Sequence, residues 1–345
     1  MDKRRILKGN QQVRKLLTFI FLASFIFAVG CGKPSGSILL NVDFDEDKPL
    51  TYRFVTNRDV VLELAGEDAG KNSSNEQSTT EGLEMVIAYK PLGTDVYGNI
   101  TVQAECQSAK VTRKSFTNRS ETQDDPVGKL SGRTWTFVVN SAGQIQDYSG
   151  LDAIVKELGA SAITENGQRR IKGPDMIWDF VATQWFLWDA IASNNKMSAG
   201  VDPGQGWESL TSVPFAVRLP VERVVQYSIP AEQDAANSLI TINSTYSFRG
   251  YEEKDGKLVF NSKIPQLPSP YEGAFQTKGM FGFLRDYKAD NLTGGGQAVY
   301  DLSKGRLISD HQQYKMDMTA GFMFPLGNTK PVLKVNQTID IELVE

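Results

Sequence analysis

Leu333-Lys334-Val335-Asn336-Gln337-Thr338-Ile339-Asp340-Ile341-Glu342-Leu343 reads as a β-strand with two unlike faces. Leu333, Val335, Ile339, Ile341 and Leu343 fall on one side; Lys334, Asn336, Thr338, Asp340 and Glu342 fall on the other. Side chains alternate across a strand, so one face meets a core and the other meets water. That is the pattern of an antiparallel sheet with one wet face. The alternation recurs upstream in Ile100, Val102, Ala104 and Cys106, in Trp135, Phe137 and Val139, and in Ile240, Ile242, Tyr246 and Phe248. Ile308, Tyr314, Met316 and Met318 share one parity of a further long strand.

The centre of the chain has a different period. Leu151 to Leu158 has helical spacing, with Ser149-Gly150 before it and Gly159 after it as a stop. A second helix is expected from about Pro174 to Ser193. Pro174 suits its first position and Asp175 its positive end. Ile177, Val181, Trp185 and Trp188 follow one face, which Met176, Trp178, Phe180 and Leu187 widen. A stripe that broad is expected to be buried against a sheet.

These signals define an α+β chain: mainly antiparallel curved sheets, or an open half-barrel, with two central helices. Residues 1–30 read as a signal segment and 31–48 as a tether. A first β-rich half covers 49–148, a helical segment 149–200, and a second β-rich half 201–345. The hairpin at Gly98 resembles that at Gly256, and the one at Gly143 resembles that at Gly305. The two halves are therefore either a duplication or parts of one larger sheet. Gly66 to Gly82 and Thr117 to Ser131 read as polar surface inserts, Val213 to Leu219 as a strand, and Gly294-Gly295-Gly296 as a loop.

Charge and residue types exclude several chemistries. The chain has 37 basic and 41 acidic residues. Without Asp2, Lys3, Arg4, Arg5, Lys8, Arg14 and Lys15 of the leader, 31 face 40, a net charge of −9. Such a surface argues against nucleic acid as a partner and against a basic lipid-binding patch. His311 is the one histidine, and its strand parity puts it on the wet face, away from Asp310. One histidine and one spare cysteine cannot make the usual zinc sets, and no phosphate loop or nucleophile elbow occurs. Cys106 lies in an apolar register and reads as a core side chain. Asp43, Asp45, Glu46 and Asp47 read as a solvated entry to the first strand, since a calcium loop needs a glycine and a distal glutamate. No catalytic residue, metal or cofactor is expected.

The amino terminus carries the sharpest signal. Six basic residues precede a mostly apolar run from Leu16 to Gly30, which ends Ala28-Val29-Gly30-Cys31. Basic, apolar and small-residue regions in that order make a secretory signal. With the cysteine directly after the small residues, the segment resembles the lipobox of bacterial lipoproteins. That resemblance implies diacylglyceryl transfer to the Cys31 thiol, cleavage after Gly30 and acylation of the new amino terminus. It also implies a cell-envelope location, with Gly32 favouring the outer membrane. An uncleaved short anchor and an ordinary cleaved signal are the other readings of the segment. Trp207, with the Gly143 and Gly305 hairpins, gives residues 50–344 a general likeness to β-rich envelope lipoproteins of unassigned activity. The helix with Trp178, Trp185 and Trp188 is similar to those of half-barrel lipoprotein carriers, where a curved sheet wraps helices and holds acyl chains.

Trp178, Trp185, Trp188 and Trp207 are thus the candidate lining of an apolar ligand site, against the plainer reading of core packing. The expected role is a membrane-tethered, non-enzymatic binding module for an apolar molecule. Two alternatives are an assembly lipoprotein that binds other envelope proteins and a hydrolase built on two carboxylates.

Overall fold

Strands of 16 to 20 residues dominate the molecule. A computed structural model describes residues 36–44, 48–65, 76–115, 125–164, 170–171, 176–197, 199–214, 222–234, 236–249, 252–254, 257–259, 276–279, 282–322 and 330–344. Cys31, the signal segment, Asp45 to Asp47, Pro174 and Gly256 lie outside these residues. The first five strands are β1 (Leu50–Ala65), β2 (Glu76–Thr94), β3 (Ile100–Ser115), β4 (Thr134–Val139) and β5 (Ile145–Asp147). Helix α1 (Ser149–Ala162), strands β6 (Ile163–Thr164) and β7 (Arg170–Ile171), and helix α2 (Ile177–Asn194) follow. The second β-rich region holds β8 (Gly206–Ser212), β9 (Glu222–Ser228), β10 (Leu239–Arg249), β11 (Glu252–Lys254), β12 (Lys257–Val259) and β13 (Gln276–Gly279). It ends with β14 (Gly282–Asp301), β15 (Arg306–Phe322) and β16 (Lys330–Leu343).

Eleven strands make one path, β5-β4-β3-β2-β1-β16-β15-β14-β10-β9-β8, with every neighbour antiparallel. β16 closes against β1, so the two β-rich regions share one sheet. Its edges, β5 and β8, are the strands on either side of the helical segment in sequence. The sheet is strongly curved, as the contacts of α2 require. Phe180 packs edge-on against Trp135 of β4 at 5.4 Å between ring centres, and Asp189 accepts a hydrogen bond from Ser209 of β8 at 2.7 Å. β4 and β8 are nine strand spacings apart in the sheet, about 43 Å if it were flat. A helix is only about 10–12 Å across. The sheet must therefore wrap α2, which makes an open half-barrel with a helix as its filling.

A helix apolar on all sides is one that is buried on all sides. Ile177, Phe180, Val181, Phe186, Leu187, Trp188 and Ile191 of α2 are all buried, as are its polar Asp179, Thr183, Gln184 and Asn194. The polar groups are held: Tyr89 donates to Gln184 at 2.8 Å, Thr183 donates to the Phe180 carbonyl at 2.8 Å, and Asn194 accepts from the Leu40 amide at 2.9 Å. The convex face stays wet. His311 pairs there with Asp340 at 2.6 Å, and Arg53 with Glu84 at 2.8 Å. The alternation read from the last strand holds, with Leu333, Val335, Ile339 and Ile341 buried.

Several local readings change. β2 begins at Glu76, so Glu76 to Gly82 continue the strand that the polar composition hid. The second insert contains a 3-10 helix, Pro126–Leu130, whose Pro126, Val127 and Leu130 are buried and whose amide at Val127 is capped by Asp125 at 2.9 Å. α1 runs through Gly159 to Ala162 instead of stopping there. β8 occupies Gly206–Ser212, and residues 215–219 of the strand expected from Val213 lie outside the described residues. A register shift in the β14–β15 pairing between Val299 and Tyr300 turns Leu307 inward in place of Ile308. Gly98 turns a hairpin of the main sheet, whereas β11 and β12 form a separate two-stranded sheet.

Gly294, Gly295 and Gly296 are not a loop but the middle of β14. They oppose Tyr246, Thr245 and Ser244 of β10 and Tyr314, Gln313 and Gln312 of β15. A Cβ on Gly296 would lie 2.4 Å from the His311 carbonyl oxygen and 2.6 Å from the Tyr246 hydroxyl. The glycines leave the inner face free for the bulky side chains beside them. Gly296→Ala is therefore expected to cost about 1–3 kcal/mol by overpacking, read as a lower urea midpoint at unchanged slope.

Candidate functional site

Tyr148 and Trp185 meet at the seam between the two sheet edges. Trp185 packs edge-on against Tyr148 with ring centres 5.6 Å apart. Beside it lies a groove of about 350 Å³. The β4–β5 turn supplies Gly143, Gln144 and Ile145; α2 supplies Trp185, Trp188, Asp189, Ala192 and Ser193; β8 supplies Glu208, Ser209 and Leu210. Lys196, just past α2, completes the lining. The groove exists because strand pairing stops at β5 and β8 while α2 fills only part of the gap. Its volume is at the small end of the range for ligand pockets, and its lining joins an aromatic wall to a polar end made by Gln144, Asp189, Ser193, Lys196, Glu208 and Ser209.

Of the four candidate tryptophans, Trp185 and Trp188 reach this groove. Trp185 is half-buried and open to it. Trp188 is 4% exposed and spends most of its surface on the core, with Phe44, Tyr89 and Phe137 rings 6.2, 6.3 and 6.4 Å away. Trp178 lies ten residues earlier on α2, about 15 Å along the helix, and is buried away from the groove. Trp207 is core as well: it stacks on Tyr227 at 5.3 Å and donates its indole N–H to Ser193 at 2.9 Å.

The polar end of the groove is built, not incidental. Asp189 accepts from the Ser209 hydroxyl at 2.7 Å and from the Tyr227 hydroxyl at 2.8 Å. Burial pushes its carboxyl above the usual range, against those two hydrogen bonds and the charges of Arg223 and Lys196. Behind it, Arg223 is buried among rings: its guanidinium carbon lies 4.3 Å from the Phe186 ring centre and 4.7 Å from that of Tyr246. It donates to Thr211 and Gln312, each at 2.9 Å. Asp310 faces the same side and accepts from Gln312 at 2.6 Å. Burial, with Asp189 nearby, pushes the Asp310 carboxyl up to about 6. A carboxyl whose folded value lies above its unfolded value favours the folded state while protonated. Stability from this group is thus present below the ordinary value of 3.8 and lost as pH rises through about 6. Asp310→Asn is expected to add about 1–2 kcal/mol at neutral pH and nothing below the ordinary value, the check being urea unfolding across that range.

A second polar feature crosses the concave face. Arg113, Glu81, Arg58, Gln337 and Tyr314 occupy opposed positions on β3, β2, β1, β16 and β15. Arg58 donates to Glu81 at 2.7 Å and to Asp179 of α2 at 3.1 Å, with all three side chains at 0% exposure. Arg113 bridges Glu81 at 2.7 Å and Asp125 at 3.3 Å. Gln337 donates to Asp179 at 2.9 Å and accepts from Tyr314 at 2.6 Å. Burial works against the Arg58 charge, but Asp179 and Glu81 outweigh it and hold the guanidinium protonated. Burial likewise works against the Glu81 carboxylate, and Arg58 with Arg113 overcomes it, leaving it below its usual value. Asp179 and Asp125 go the other way, raised by burial that their partners only partly offset. This belt fixes the amino-terminal half of α2 against the sheet. It is a clamp, closed to ligands.

Among the described residues, no cluster of three or more metal-ligating side chains occurs. The Cys106 thiol is buried and pushed up to about 12 by desolvation, which keeps it protonated and inert. No helix of the described residues is long and apolar enough to cross a membrane.

No protein-family model matches the chain. No curated protein matches it. Among solved structures it is similar to one described as lipid-protein interactions in lipovitellin, at 10% identity and TM-score 0.36, over 87% of this chain and 26% of that one. It is also similar to DynF from the dynemicin biosynthesis pathway of Micromonospora chersina, at 8% identity and TM-score 0.19, over 90% and 86% of the two chains. A mutant porin of Rh. blastica gives 8% identity and TM-score 0.19, over 84% and 100%. At these TM-scores no activity or ligand is carried over. The class rests on the chain's own geometry: an unclosed, mainly antiparallel sheet of eleven strands around a buried helix.

Proposed function

We propose that this chain is a membrane-tethered envelope lipoprotein that binds an apolar molecule, or the apolar part of an amphipathic one, in the groove between α2, β5 and β8. The observation that carries the reading is the groove itself, a space of about 350 Å³ with Trp185, Trp188, Ile145 and Leu210 on its walls. An aromatic wall presents a large apolar area at little entropic cost, while Asp189, Lys196 and Glu208 give one end a polar character suited to a headgroup. The tether is read from the lipobox-like segment ending at Cys31.

The interior of the half-barrel is occupied by α2 and its aromatic neighbours, so capacity is limited to one acyl chain or ring system. Native mass spectrometry of protein purified from its own membranes is expected to show one bound molecule per chain, apolar or amphipathic in composition. Protein that is uniformly empty, and stays empty after exposure to a total lipid extract, would overturn the proposal.

A further inference from the structure

The segment from Ile38 to Phe44 crosses one end of the half-barrel. Ile38 exchanges backbone hydrogen bonds with Val201 at 2.9 Å each way, the Val42 amide donates to Ser141 in the β4–β5 turn at 2.9 Å, and the Asp43 amide donates to Gly305 in the β14–β15 turn at 3.0 Å. Phe44 then lines a cavity of about 260 Å³ with Leu92 and Ile100 at the base of the β2–β3 hairpin. The chain therefore enters the domain across the end that carries these three turns.

The same end exposes apolar side chains. At the β2–β3 tip Val96 is 93% and Tyr97 86% exposed, with Leu92 at 54% below them. Leu39 stands out from the crossing segment, Met197 follows α2, Leu239 opens β10 beside Asp301, and Val344 follows β16 beside Thr51. The tip is rigid. Asp95 accepts from the amides of Tyr97 at 2.8 Å and Asn99 at 2.9 Å, and Gly98 takes a left-handed φ of 82° to close the turn. A turn so well braced has no local need for a valine and a tyrosine pointed at water.

We propose that this end is a membrane-docking surface, with the Val96–Tyr97 tip seated in the headgroup layer of the bilayer that holds Cys31. The proposal rests on the tether reading above and goes beyond it. Six residues separate Cys31 from Ile38, seven Cα steps with a reach of at most about 25 Å. β1 alone has 16 residues, about 53 Å of strand, so the opposite end stays out of reach of the same bilayer. Tyrosine with aliphatic neighbours suits the membrane interface, where a ring can be apolar at its body and polar at its tip. The groove opens beside the β4–β5 turn, at this end, so an apolar molecule could pass between bilayer and groove without crossing water.

The test uses the full acylated chain in phosphatidylcholine vesicles, with an environment-sensitive fluorophore on Tyr97→Cys, and on Gln313→Cys of the wet face as control. Emission at 97 is expected to shift to the blue and to be quenched by lipids carrying a headgroup nitroxide, with neither change at 313. Water-like emission at both positions, in protein that floats with the vesicles, would overturn the docking surface alone. A shift at 97 in whole envelopes that is absent from the lipid vesicles would overturn it in favour of a protein contact. The mass of the amino-terminal peptide reports the tether separately: an unacylated peptide would overturn the tether reading and the docking surface with it.

Discussion

Arg58→Ala is expected to destabilise the protein by about 3–5 kcal/mol, a large part of the 5–15 kcal/mol that a folded domain has in total. The guanidinium is the cation between two carboxylates with no access to water. Without it, among the described residues Asp179 keeps Gln337 and Glu81 keeps Arg113 as side-chain partners. A buried carboxylate stripped of its counter-charge must either take up a proton or draw in water, and both act against the folded state. The loss should concentrate at the amino-terminal half of α2, because Asp179 is where the belt grips the helix. Chemical denaturation gives the magnitude, and hydrogen exchange of the α2 amides gives the location. Replacing both partners with apolar groups, as in Arg58→Met with Asp179→Leu, should cost less than Arg58→Ala, since no orphaned charge remains at Asp179.

Trp188→Ala is expected to cost a similar amount, about 3–5 kcal/mol, for a different reason. Trp188 joins the aromatic cluster of Tyr89, Phe137 and Phe44 to α2. Removing the indole leaves a cavity that β-sheet neighbours on both sides cannot close, and Phe44 loses its seat on the rim. A thermal melt measures the loss directly. The consequence for function is that Trp188 is the wrong residue for probing ligand binding. Trp185, half-buried and resting on Tyr148, is the one whose removal changes the groove and little else.

Strand alternation carried much of the architecture. The periodicities of Leu333 to Leu343 and of Ile100 to Cys106 placed faces correctly because one face of each strand is buried and the other wet. Cys106 and His311 were also legible from parity and neighbours, whereas Trp207, offered as a lining residue, packs in the core. The belt was not. Arg58, Glu81 and Gln337 are strongly polar residues inside mostly apolar registers, and each looks like noise until the strands are aligned side by side. Gln337 sits in the very stretch that decides the fold, on its buried face at 0% exposure. The glycines at 294–296 misled for the opposite reason. They lack side chains, so their pairing with β10 and β15 leaves no periodic trace. The groove depends on where pairing ends, at β5 and β8, and edge strands carry no distinct local pattern. Only the wrap of β8 and β9 around α2 gives Asp189 its partners Ser209 and Tyr227.

The proposed occupant of the groove beside Trp185 is an apolar group. A titration with a brominated dodecyl amphiphile, followed by tryptophan emission, tests it most directly, because bromine quenches only a ring in contact. Saturable quenching is expected in the wild-type protein, with the greater part lost in Trp185→Phe while the fold is unchanged by circular dichroism. Equal quenching in the two proteins, or none in either, would contradict the account.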